Sequence, residues 1–325
     1  MSRTGLLLAD IEKAAERLAG RVIRTPCLSL DGNALPSLKG KSLHFKLELF
    51  QTGGSFKLRG ALNTVSQLPE GTPGITGFSA GNHAIAVALA GKAANLPATV
   101  VMPKSANPYR VKRCQEEGAN ILFGSDIAEL VSKVEALQQE RGLALVHPFE
   151  GWHTVEGTGT VGLELMHDVP DLDAVLVPVG GGGLIAGIAT AVKAINPRCK
   201  VIGIEPLGAK GMASSLAAGK PLPEVPVNTI ADSLGAPLHL PISFGLISQH
   251  VDDMVQVEEQ ALRDAMGWFF THLKLAVEPA CAATVAALMG PLNDIDAQHI
   301  GIIVCGTNID EMTYRKLRDG GQLYG

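Results

Sequence analysis

The stretch AVLVPVGGGGLIAG, residues 174–187, passes from one apolar run through four glycines into another. Its first part is a short β-branched segment of the kind that forms a strand buried on both faces, and LIAG opens a longer helical pattern. Gly180, Gly181, Gly182 and Gly183 therefore sit at a strand–loop–helix junction. Such a loop turns backbone amides toward an anion, and the start of the helix adds its dipole. Glycine is needed where the chain must reach positive φ or let a ligand come up against the backbone. A tight turn without a ligand reads the same way, but it does not require four glycines in a row. Gly181, Gly183 and Ala186 also satisfy the G-x-G-x-x-G/A dinucleotide pattern, with Glu205 about where a ribose-binding acid falls. A phosphate-bearing ligand is expected, and a nicotinamide cofactor stays open at this point.

Working outward, the same alternation continues on both sides. LHFKLELF (43–50), GITGF (74–78), ATVVMP (98–103), NILFG (120–124), LALVHPF (143–149), KVIGIEP (200–206) and IGIIVCG (300–306) read as strands. Between them lie helical patterns from residue 55, at 83–96, 108–118, 127–142, 161–169, 184–195, 259–273 and 281–289, and at the C-terminus. Strands alternating with helices predict an α/β fold with parallel sheets covered by helices. MSRTGLLLADIEKAAERLAG (1–20) reads as an amphipathic helix, and 206–256, rich in proline and turns, as a long functional connection.

Composition narrows the function class. A chain of 325 residues has room for about two domains, and 46% hydrophobic with 18% charged residues describes a well-buried protein. A net charge of −5 with no basic–aromatic run gives no electrostatic case for nucleic acid or an anionic membrane. Five cysteines without a CxxC pair fit a reducing compartment and exclude a thiolate zinc cluster. The N-terminus lacks the pattern of a signal peptide, and no apolar run is long enough to span a bilayer. A cytoplasmic protein is expected.

Three further segments carry chemistry. In TGGSFKLRGALNT (52–64), Ser55 reads as a helix N-cap, which places Lys57 and Arg59 in the first turn. Cations are unfavourable there by a few tenths to about 1 kcal/mol each, so the lysine asks for a reason. FSAGNHAIA (78–86) is another strand–turn–helix junction suited to holding a carboxylate on backbone amides, with an ordinary cap at Ser79 or Asn82 as the plain alternative. CGTNID (305–310) ends an apolar strand, the edge at which open α/β sheets bind ligands. In HPFEGWH, His147, Glu150 and His153 match no established metal-ligand spacing, and no HExxH or GxSxG occurs.

In this order, RTPCLSL, GSFKLRGA, SAGNHA, GGGGL, EP and CGTN resemble the fold-type II pyridoxal-phosphate enzymes, specifically the serine/threonine dehydratase (ammonia-lyase) group. The resemblance implies a two-domain, tryptophan synthase β-like fold. Residues 1–70 and 150–325 would form a large cofactor-binding domain and 71–149 a small inserted one. It implies pyridoxal 5'-phosphate as cofactor, with Lys57 the Schiff-base and proton-moving lysine and Phe56 flanking the ring. Asn82 would meet the 3'-oxygen, Gly180–Gly183 with Leu184 the phosphate, and Cys305 the pyridine nitrogen. Ser79, Ala80, Gly81, Asn82 and His83 would hold the substrate carboxylate.

The implied reaction is loss of water from a β-hydroxy-α-amino acid, giving a 2-oxo acid and ammonia. L-Threonine, L-serine, 3-hydroxyaspartate, phenylserine and a hydroxyectoine-derived amino acid all satisfy that chemistry. Ala80 stands where racemases of the group carry a serine, which argues for elimination over racemisation. Glu205 matches one ligand of the cation that some relatives bind, but Gly211 stands at the position of the matching Asp. Thr307 and Cys281 also depart from the group's usual glycines. The resemblance further implies a homo-oligomer, dimer or tetramer, of the short catabolic type. Serine racemase activity and an NAD(P)-dependent oxidoreductase are the alternatives carried forward.

Overall fold

The structure is a computed structural model that describes residue 3 and residues 5–321. Along the chain the elements are α1 (Leu8–Leu18), β1 (Cys27–Asp31), β2 (Ser42–Lys46), α2 (Lys57–Val65), β3 (Ile75–Phe78), α3 (Asn82–Ala94), β4 (Ala98–Pro103) and α4 (Pro108–Glu116). There follow β5 (Asn120–Gly124), α5 (Ile127–Arg141), β6 (Ala144–Leu145), α6 (Trp152–Asp168), β7 (Ala174–Pro178), α7 (Gly183–Ile195) and β8 (Lys200–Pro206). The chain ends with α8 (Gly211–Ala217), α9 (Pro241–His250), β9 (Asp253–Val257), α10 (Glu259–Trp268), α11 (Pro279–Met289), β10 (His299–Ile303) and α12 (Glu311–Arg318). Met1, Ser2 and Thr4, at the start of the expected N-terminal helix, lie outside the described residues.

The strands form two sheets. One has six strands in the order β1-β2-β10-β7-β8-β9, and the other four in the order β5-β4-β3-β6. The four-stranded sheet is wholly parallel, as are the β2–β10–β7–β8–β9 pairings. This is a two-domain α/β fold built on parallel sheets. The exception is β1, which pairs antiparallel with β2. Its residues are all half-buried or exposed, which suits an edge position, and the short connection to β2 without a crossover helix explains its direction. A large apolar core lies around the six-stranded sheet and a second around the four-stranded one, with α2 contributing Leu58, Ala61, Leu62 and Val65 to the latter.

Several expectations need correction. The strand read at 43–50 stops at Lys46 and gives way to a 3-10 turn at Glu48–Phe50, while that at 143–149 shrinks to Ala144–Leu145. Helix α6 begins at Trp152, so the glycine-rich passage before residue 161 is helix rather than loop. Its glycines serve close packing: a methyl on Gly157 would lie 2.5 Å from the Arg59 carbonyl oxygen on α2, and one on Gly187 of α7 would lie 2.5 Å from the Gly159 amide. The connection 206–256 contains α8, α9 and the edge strand β9, whose half-buried DMVQV gave no strong alternation. Helix 259–273 closes in a π-helical turn at Phe269–Leu273.

Candidate active site

The C-terminal ends of β2, β3, β7 and β10 lead into the segments that carry Lys57, Ser79–His83, Gly180–Gly183 and Cys305. Parallel sheets concentrate ligand sites at this edge, and the segments meet there. Lys57, Phe56, Asn82, Gly180–Gly183, Leu184 and Cys305 share one recess. Ser79, Ala80, Gly81 and His83 line the cavity of about 300 Å³ that opens above it.

The glycine loop is forced by contact as much as by conformation. Gly182 has φ +91°, and a methyl on Gly183 would stand 2.4 Å from the carbonyl oxygen of Phe149. No side chain caps α7, and among the described residues no acceptor takes the amides of Gly180 through Leu184. Orphan donors at a helix start call for an anion. Gly183→Ala is expected to abolish cofactor retention and to destabilise the chain by about 1–3 kcal/mol through overpacking, read by visible absorption and thermal melting.

Ser55 does not cap α2. It is buried in a bridge to Gly306, and the residue before Lys57, Phe56, is helical (φ −56°, ψ −20°) without a side-chain cap bond. Lys57 is thus the first residue of the helix, inside the first turn where the sequence placed it but one position earlier than a Ser55 cap would give. Its Nζ donates to the Pro148 carbonyl at 2.5 Å and lies 5.0 Å from the Phe56 ring centre. Desolvation lowers the amine to about 8, against the opposing pull of Cys305 and Glu278.

The SAGN loop is held by its own hydroxyl: Ser79 Oγ accepts from the Gly81 amide at 3.0 Å. Neither Ser79 nor Asn82 caps α3, whose N-cap is Gly81. Asn82 instead turns into the recess, where Nδ2 donates to Glu278 Oε1 (2.6 Å) and Oδ1 accepts from Asn308 Nδ2 (2.7 Å). Cys305 is 3% exposed, and its neighbour Cys281, ahead of burial, keeps its thiol well above the ordinary range, so it is a neutral group. Thr307 takes no part in the recess; its hydroxyl donates to the Ala276 carbonyl.

Four residues of the site carried no local signal in the sequence. Arg110 of α4 holds Asp232 through Nη1 (2.5 Å) and Nη2 (3.3 Å) and donates Nε to the Asn308 carbonyl (2.9 Å). Phe149 packs on Gly181, and Glu278 stands behind Asn82. The two histidines nearest Lys57 are neutral: burial, then the Lys57 charge, lowers His83 to about 3 and His147 to about 4. Phe78, His147 and Phe149 stack edge to face, with ring centres 5.7 and 4.7 Å apart.

Other sequence candidates lie elsewhere. Glu205 spends both carboxylate oxygens on the amides of Met212 (2.7 Å) and Ala213 (3.0 Å) and does not border the glycine-loop recess. It is therefore not placed as a ribose-binding acid or as a ready cation ligand. A methyl at Gly211 would lie 2.5 Å from Val225, which leaves no room for an aspartate. His147, Glu150 and His153 go to separate partners: backbone amides at 149–150, the α9 start, and Glu156. Among the described residues no three His, Cys, Asp or Glu side chains cluster as a metal site, and no helix is long and apolar enough to cross a membrane.

The sequence pattern of the pyridoxal-phosphate dependent enzyme family matches residues 18–306. The chain belongs to that family. Within it, the chain is similar to a phenylserine dehydratase of Ralstonia pickettii, 42% identical over 312 residues and 95% of each chain. It is as similar to a serine racemase of Oryza sativa subsp. indica, 42% identical over 93% of this chain and 90% of that one. Among solved structures it superposes on a T.th. threonine deaminase with a TM-score of 0.87, 38% identity, and 94% and 99% coverage. The cofactor of this pyridoxal-phosphate dependent enzyme fits the residues present. Five amides without acceptors match a phosphate, and a desolvated lysine close to neutrality faces the same recess.

Proposed function

We propose that this enzyme removes water from a β-hydroxy-α-amino acid, giving a 2-oxo acid and ammonia, and that its preferred substrate carries an apolar, aryl-sized β-substituent. The chamber above Lys57 supports this reading. Its lining includes the apolar Phe78, Pro103, Ile127, Leu130, Val227 and Pro237, and of the two cations in that lining Arg110 already pairs with Asp232 while Lys57 is the residue expected to hold the cofactor. His83 and His147 are neutral, and Arg110 is committed to Asp232. An acidic substrate such as 3-hydroxyaspartate would bury its extra charge unpaired, whereas serine would leave the wall uncovered. The relative named phenylserine dehydratase agrees with such a substrate.

Bound pyridoxal phosphate supplies the electron sink that acidifies the substrate's α-carbon. The chain's own groups do the rest in this proposal. The Gly180–Leu184 amides hold the phosphate, and the uncapped start of α3 with Ser79–His83 holds the substrate carboxylate. Lys57, lowered to about 8 and so mostly neutral above that pH, takes the α-proton. Cys305 meets the ring-nitrogen end as a thiol, which does not hold that nitrogen protonated. Ala80 lines the cavity with a methyl where racemisation would call for a proton carrier, which favours elimination over the racemase alternative.

The four-stranded sheet supports 71–149 as the inserted domain, and a homo-oligomer rests on family resemblance alone, to be checked by light scattering. The substrate reading is tested by kcat/KM over a panel with 2-oxo acid as readout. Phenylserine should exceed serine by roughly 10–150-fold, the worth of burying a Phe-sized group at about 1.5–3 kcal/mol. Hydroxyaspartate should be turned over worst. Equal rates for hydroxyaspartate and phenylserine, or D-serine formed without 2-oxo acid, would refute the proposal.

A further inference from the structure

Glu278 stands just before α11, 1% exposed, and borders the same recess as Lys57, Cys305 and the glycine loop. Oε1 accepts from Asn82 Nδ2 at 2.6 Å, but among the described residues no donor reaches Oε2. Arg110 Nη2 pairs with Oε2 across 3.7 Å, too far for a hydrogen bond, while the guanidinium donates to both oxygens of Asp232 and to the Asn308 carbonyl. Burial is the largest influence on Glu278 and opposes its charge, as does Asp232; Arg110, the Asn82 amide and Lys57 favour it without outweighing burial, and Cys305 is a neutral thiol. A buried carboxylate with one bare oxygen is heavily penalised, and the simplest relief is a proton.

We propose that Glu278 is a positioning residue of the cofactor site that works as a neutral carboxylic acid: Oε1 fixes the Asn82 amide, and the Oε2 hydroxyl is a hydrogen-bond donor kept for the cofactor ring. Burial, partly offset by Arg110, pushes the carboxyl up to about 7, in keeping with that protonation. The contact with Asn82 is built in. Asn308 fixes Asn82 from its other side through Oδ1, and a methyl at Gly306 would stand 2.8 Å from Glu278 Oε1 and 3.3 Å from Asn82 Nδ2. Among the described residues no hydrogen bond engages Oε2, which leaves it for the ligand. The ring's phenolic oxygen is the one beside Asn82 in this reading.

The inference rests on the pyridoxal-phosphate assignment but not on the dehydratase reading, and its tests need no turnover. In the holoenzyme, the infrared difference between wild type and Glu278→Gln should show the carbonyl stretch of a protonated carboxyl in the wild type only. Its absence overturns the proposal. Glutamine keeps an acceptor for Asn82 and a donor for the ring. Glu278→Gln should therefore bind pyridoxal phosphate within about threefold of wild type with its visible band in place. Glu278→Ala should bind roughly tenfold more weakly, with a displaced band. Glutamine failing as badly as alanine, or alanine leaving affinity and band unchanged, would each overturn it. If the alanine variant does not fold, the glutamine variant and the infrared band decide alone.

Discussion

Replacing Lys57 with alanine is expected to lower turnover by at least about a thousandfold, because nucleophilic and proton-moving contributions disappear together. The variant should still fold. Among the described residues the Lys57 amine makes one hydrogen bond, to the Pro148 carbonyl, and it is desolvated. It should also lose the visible band of lysine-bound cofactor, since no other lysine borders the recess. The pH dependence has a definite sign. An amine lowered to about 8 is mostly neutral above that pH and charged below it. Covalent capture of pyridoxal phosphate by cofactor-free protein should therefore accelerate as pH rises to about 8 and then level off. An ordinary lysine would keep accelerating to about pH 10.4. Stopped-flow absorbance across pH 6–10 separates the two, and a curve still climbing at the alkaline end would contradict the local electrostatics.

The second large effect concerns stability. Arg59 is fully buried two residues after Lys57, where the helix dipole disfavours it as well. Its guanidinium donates to Glu48 (2.8 and 2.8 Å), Glu164 (2.7 and 2.9 Å), Thr160 Oγ1 (3.0 Å) and the Ile23 carbonyl (3.2 Å). Burial opposes its charge, but Glu48, and then Glu164, hold it above even arginine's ordinary range. Arg59→Met removes the cation and leaves Glu48, itself fully buried, facing Glu164 with Lys46 as the remaining buried partner. Breaking such a pair from one side costs about 3–5 kcal/mol, or a fall in Tm of roughly 4–7 °C by calorimetry for a chain of this length. Arg59→Lys should recover only part of it, because an ammonium cannot fork to both carboxylates. Removing Glu48 along with Arg59, which leaves Glu164 paired with Lys46, should cost less than Arg59→Met alone, a non-additivity that would exclude a simple loss of packing.

These two cases show what could be read from the chain. The lysine's position, the glycine loop, the SAGN turn and the cysteine at a strand end were legible because each is a local pattern at a strand–helix junction. Arg59 was visible as an anomaly but its cause was not, since Glu48 and Glu164 approach it only through folding. Arg110, Asp232 and Glu278 come from three distant segments with no motif of their own. Their roles arise from the turn before α11 meeting the start of α3. The glycines at 157 and 159 misled for a physical reason: glycine marks loops and close helix contacts alike, and periodicity does not tell them apart. Glu205 matched a dinucleotide pattern by position, yet the adjacent α8 start consumes its carboxylate.

The bare amides of Gly180 through Leu184 also bear on how long the protein lasts. A helix start with five unanswered donors and no capping side chain is a local weakness until phosphate arrives. A ligand that binds only the folded form adds stability with the logarithm of its concentration, about 2.7 kcal/mol at a hundred times its Kd. Proteolytic turnover tracks the small unfolded fraction. The quantity of this enzyme, and not only its activity, should then follow the supply of pyridoxal phosphate.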